Sequence, residues 1–125
     1  MFNSGVDALL VSLAYNTENF DYFTPYLKSN ITLIFMDRIH NLPNCLTIVI
    51  DNVHAGYDAT DHLINQGCKN ILIITGNLKR NVYSNRFLGY KKALDQNNIA
   101  FKKANVFETT MEAKNAIEEL IISKN

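Results

Sequence analysis

The sequence predicts an α/β fold built on a doubly wound parallel sheet, and three observations carry that reading. Short β-branched and apolar runs recur along the chain, amphipathic stretches at helical spacing separate most of them, and no low-complexity linker intervenes. The bulk numbers agree with one ordinary α/β domain: 125 residues, 47% hydrophobic, with twelve basic residues against twelve acidic ones. Nucleic-acid modules normally show a basic excess or a basic stripe, so this balance gives no sign of a phosphate-gripping surface.

The first expected strand is the nearly continuous apolar run from Val6 to Leu13, which suits a parallel strand covered on both faces. A helix follows, with Phe20, Phe23 and Leu27 at helical spacing and Asn16 or Thr17 as candidate caps. Pro25 lies inside that pattern and predicts a kink or a late start. Ile31 to Met36 is the second strand, the polar "DRIHNLPN" a loop, and Leu46 to Ile50 the third strand.

A longer helix then carries Val53, Gly56, Tyr57, Thr60, Leu63, Ile64 and Gly67 on one face. Asp51 or Asn52 caps its start, and Gly67 supplies the left-handed residue that closes it. Gly56 on the buried stripe costs about 1 kcal/mol of helix propensity relative to Ala. That predicts a close approach to a sheet. Asn70 to Gly76 is the fourth strand, and the next helix carries Phe87, Leu88, Tyr90 and Leu94. "KANVFE" reads as a short strand. Thr109 and Glu112 then form a capping-box pair ahead of the stripe Ala113, Ala116, Ile117, Leu120 and Ile121.

Open parallel sheets bind ligands beyond the carboxyl ends of their strands, so the residues leaving each strand are the candidates. Ser12 leaves the first, Asp37 and Arg38 the second, and Asp51 and Asn52 the third. Lys79 and Arg80 follow the fourth, with Arg86 opening the next helix. Asp51 and Asn52 read as cap and connector, Tyr57 as core, and Arg38 as a surface or interdomain ion-pair partner.

Several chemistries lack their residues. "TGNLKR" holds one Gly and no Gly-Lys-Ser/Thr, so there is no phosphate loop, and no G-x-S-x-G elbow appears. His40, His54 and His62 have no metal-ligand spacing and read as surface or capping residues; no metal and no cofactor is expected. A phospho-receiver needs paired acids after the first strand, where this chain has Ala14 and Tyr15. Cys45 and Cys68 read as two small buried hydrophobes in a reduced protein. No apolar run approaches the roughly 20 residues of a membrane helix, so no membrane partner is expected.

Taken together, "GVDALLVSL", "IFMDR", "VIDNVHAGYDATDHLINQGCKNI", "ITG" and "NRFLGYKKALDQNNI" resemble, in order and spacing, the effector-binding core of lac/gal-repressor-type bacterial transcription regulators. That core has a periplasmic-binding-protein-like, Rossmann-like fold of type I. The resemblance implies that the chain holds parts of two subdomains. Residues 1–67 match the later part of the first and 68–125 the opening part of the second, with the DNA-binding head outside this chain.

It further implies ligand contacts at Asp37, Arg86, Arg80 and Ser12, and no catalytic residue. A carboxylate facing a guanidinium suits a sugar, since one accepts and the other donates to neighbouring hydroxyls. The implied partners are a small-molecule effector, a sugar or sugar derivative; operator DNA through the separate head; and a second copy in a homodimer. The implied location is the cytoplasm. Two other readings stay open at this point: a periplasmic sugar receptor of a transport system, and an enzyme or phospho-receiver on a flavodoxin-like sheet. Unpaired strand edges predict association in solution, and a partial pocket predicts weak sugar binding.

Overall fold

A computed structural model describes residues 5–14, 16–108 and 113–123. Its strands and helices follow the expected order, and every strand pairing is parallel. The chain divides into two compact units, with the boundary between Ile50 and Asp51.

The first unit is a three-stranded sheet of β1 (Ala8–Val11), β2 (Thr32–Met36) and β3 (Leu46–Ile48), with β2 in the centre. Register fixes its two faces, because side chains alternate along each strand. Leu33 and Phe35 share one face with Leu9 and Val11 of β1. With Leu13 and Phe23 they make the core of this unit, and the Phe23 and Phe35 rings meet edge to face at 5.3 Å between centroids. A 3-10 turn, Asp21–Phe23, leads into α1 (Thr24–Leu27), which begins late. Pro25 sits in its first turn, where a missing N–H leaves no bond unmade. The opposite face carries Leu10, Ile34 and Leu46 in one row, and Leu10 and Leu46 are 65% and 64% exposed.

The second unit opens with α2 (Asn52–Asn65) and continues through β4 (Ile73–Thr75), α3 (Asn81–Gln96), β5 (Val106–Glu108) and α4 (Ala113–Ser123). The Asp51 side chain accepts the His54 N–H at 2.9 Å and caps α2. Gly67, at φ +91°, closes the helix: its N–H reaches the Ile64 carbonyl while the Cys68 N–H reaches that of Leu63. Asn98, at φ +55°, ends α3 in the same way, with its own N–H on Asp95 and that of Ile99 on Leu94. β4 and β5 pair in parallel, with Ile74 opposite Phe107.

The two compact units divide after Ile50 because α2 packs along α3 and so joins the second. Three expectations change. Gly56 serves a close approach of two helices, not of a helix to a sheet. A Cβ there would overlap the Arg86 carbonyl oxygen, and one at Gly89 would overlap the Val53 carbonyl oxygen. Cys68 is exposed, where a buried small hydrophobe was expected; only Cys45 is half-buried, and burial raises its thiol pKa. Ile117 and Ile121 of the expected α4 stripe are exposed, and the Thr109–Glu112 capping pair lies outside the described residues.

Tyr90 is the pivot of the second core, packed with Ile71 and Leu94. Its hydroxyl donates to the Ile71 carbonyl at 2.9 Å. Burial raises the phenol above its ordinary value of 10.0, since the tyrosinate would lose its water. The proton is therefore held more tightly in the folded state than in the unfolded one. The resulting stability is complete below pH 10 and falls away as pH rises through the raised folded value. Tyr90→Phe is expected to lower stability by about 1 kcal/mol at neutral pH and to flatten the alkaline limb of a denaturation series. An unchanged alkaline limb in the variant would contradict this.

Candidate functional site

The carboxyl ends of β1 and β2 bring Ser12 and Asp37 to one rim. Val11 is opposite Phe35, and the next rung is a backbone bond from the Leu13 N–H to the Arg38 carbonyl at 3.0 Å. Ser12 and Asp37 are both exposed. Asp37 stands at φ +60°, a left-handed conformation that Asp tolerates better than most residues. Its N–H donates to the Ile48 carbonyl at 3.0 Å, which ties the turn to the end of β3. A strained backbone at a strand exit is common where a side chain must be aimed at something. Arg38 beside it is half-buried, and its solvent-shielded Nε meets no hydrogen-bond partner among the described residues.

The histidines take structural or surface places. His40 stacks on Phe20 at 3.7 Å between ring centroids. His54 is exposed and approaches Asp58 at 3.1 Å, one turn along α2. His62 is exposed in the last turn of the same helix.

The second unit offers the two arginines, in different settings. Arg80 is the cap residue of α3, with extended backbone, and is 7% exposed. Arg86 lies six positions on, which at 100° per residue turns it to a different face, and it is exposed. Arg80 is thus packed into the fold, whereas Arg86 is accessible.

Arg86 also has a partner that no local pattern revealed. Its Nε–H donates to Oδ1 of Asn52 at 3.0 Å. Asn52 is 2% exposed, at the first turn of α2. The two meet because Gly56 and Gly89 let the helices come together with backbone against backbone. A cleft of about 410 Å³ runs alongside, lined by Ala59, Leu63, Ile73, Ile74, Arg86 and Tyr90 among others. Further along the helix pair, the Tyr57 hydroxyl donates to Gln96 at 2.6 Å and the Asn97 amide donates to Asp61 at 3.2 Å. Tyr57 is thus half-buried, with its hydroxyl at the surface.

The chain is similar to known bacterial regulators over most of its length. It is 34% identical over 116 residues to the transcriptional repressor PurR of Haemophilus influenzae, a match covering 90% of this chain and 33% of that protein. It is 42% identical over 74 residues to the ribose operon repressor of the same species, covering 59% of this chain and 22% of that one. Among solved structures, the transcription regulator CcpA of Lactococcus lactis matches with a TM-score of 0.77 at 27% identity, over 96% of this chain and 44% of that chain. The chain therefore spans about a third of the length of the curated relatives it matches. The family model for periplasmic binding proteins and the sugar-binding domain of the LacI family matches residues 1–124. By that match the chain belongs to the family of periplasmic binding proteins and LacI-type sugar-binding domains.

Proposed function

We propose that this chain is the ligand-sensing part of a bacterial transcriptional regulator, with a sugar or sugar derivative as effector. The observation that carries the proposal is the family match over residues 1–124. Relatives named as transcriptional repressors favour a regulator over a transport receptor, the other kind of protein in that family. Their name also supports ligand sensing over catalysis, and supports work in the cytoplasm, where operator DNA is.

In this reading the chain holds parts of two effector-binding subdomains, and Ser12, Asp37, Arg80 and Arg86 are its ligand contacts, as the resemblance implies. The carboxylate accepts from sugar hydroxyls and the guanidinium donates to them. Binding does no chemistry on the ligand; it favours one arrangement of a homodimer over another. A separate head reads the operator, and the coupling between the two sites is reciprocal.

The test is calorimetric titration of the chain with D-ribose, using a non-sugar polyol as control. Because the chain spans about a third of its relatives' length, the expected Kd is weak, about millimolar. Asp37→Ala and Arg86→Ala should each remove measurable binding, since losing a hydrogen bond to a charged group costs roughly 1.5–3 kcal/mol. Equal affinity in the wild type and both variants would overturn the assignment.

A further inference from the structure

Asn52 is the polar residue among the largest fully buried side chains, and helix formation does not explain its place. Asp51 already caps α2. The other buried polar residue of α2, Thr60, is satisfied locally, with Oγ1 donating to the Gly56 carbonyl at 2.8 Å. An apolar residue would fill position 52 without the cost of burying an amide. The amide has a partner 34 residues away: its Oδ1 accepts the Nε–H of Arg86 at 3.0 Å.

We propose that Asn52 is a positioning residue for ligand recognition: its buried amide fixes the plane of the exposed Arg86 guanidinium. This rests on the reading above that Arg86 contacts the effector. A guanidinium is planar and carries five N–H donors, so holding Nε–H in one direction sets where the four Nη hydrogens point. Those four donors match two adjacent oxygens, such as a vicinal hydroxyl pair. The neutral amide aims the group without cancelling its charge. A carboxylate in the same place would hold it more tightly and compete with the ligand for it. The arrangement depends on Gly56 and Gly89, because a side chain at either would force the two helices apart. An arginine left on its own would lose rotamer freedom on meeting the ligand; one already aligned loses less.

The experiment reads Arg86 directly, on the whole chain, by amide and side-chain NMR with and without D-ribose. In the wild type the Arg86 Nε–H signal is expected to be resolved and slow to exchange. Asn52→Leu, of similar volume, should speed that exchange at least tenfold and lower ribose affinity, while the backbone signals of α2 and α3 persist. Asn52→Asp should restore slow exchange, because the acceptor is back.

Exchange that is unchanged in Asn52→Leu overturns the proposal, whatever the ligand does. So does fast exchange in Asn52→Asp, or ribose affinity identical in Asn52→Leu and wild type. A wild type and an Arg86→Ala variant that bind ribose equally would instead sink the functional reading, and the Asn52 exchange data would show that separately.

Discussion

Replacing Gly89 with alanine is expected to destabilise the second unit by roughly 3 kcal/mol, at the upper end of what overpacking a tight contact costs. The sign of the result is the informative part. By helix propensity alone, Gly→Ala inside a helix should stabilise by about 1 kcal/mol. Here the added Cβ would meet the Val53 carbonyl oxygen and the Tyr57 and Gly56 backbone, none of which can rotate away. The helices must separate. Separation also strains the Asn52–Arg86, Tyr57–Gln96 and Asp61–Asn97 hydrogen bonds that join them. Gly56→Ala, against the Arg86 carbonyl, should behave alike. Thermal or urea denaturation decides it, and a variant as stable as the wild type would mean that α2 and α3 do not meet backbone to backbone.

Phe35→Ala is expected to cost about 3–5 kcal/mol, the range for truncating a buried aromatic. Phe35 is 0% exposed and lies in β2, against Phe23 and in one core cluster with Leu13 and Leu33. The unit it belongs to ends at Ile50, and a core built from so few residues has little stability to lose. The variant should therefore lose the signals of β1, β2 and β3. The helix pair α2–α3, whose core rests on Ile71, Tyr90 and Leu94, should keep its own. Residue-resolved hydrogen exchange separates the cases: a loss spread evenly over both units would contradict the division after Ile50, and a change below about 1 kcal/mol would contradict the core assignment.

What could be read from the sequence was local. Apolar runs gave β1, β2 and β4; the periodic stripe with its Asp51 cap and Gly67 gave α2; and Pro25 gave the late start of α1. Each signal lies within a few residues of the element it forms. The relations that were missed span longer distances. Gly56 announced a close approach, but its partner is Arg86 on another helix, 30 positions on, and no pattern within α2 names it. Asn52 looked like part of a helix cap because Asp and Asn are both good caps; only the packing of α2 on α3 shows one capping and the other buried.

The candidate rim divides in the same way. Ser12 and Asp37 follow from strand ends that register places side by side, which a sequence reading can anticipate. Arg80 and Arg86 were both candidates in the sequence, one in the loop after the fourth strand and one opening the next helix. Their difference in burial is a matter of which helix face meets the core. The compact units divide after Ile50 for the same reason. A helix belongs to the unit it packs against, and Gly67 marks only where α2 stops.

The central proposal is that polar side chains leaving parallel strands, together with Arg86 in the second turn of α3, hold a sugar. The most direct measurement is a map of backbone and side-chain NMR shifts during the ribose titration. The account predicts saturable changes centred on Ser12, Asp37 and Arg86, lost in Asp37→Ala and Arg86→Ala. Changes confined to β5 and α4, or the same map with a non-sugar polyol, would contradict it.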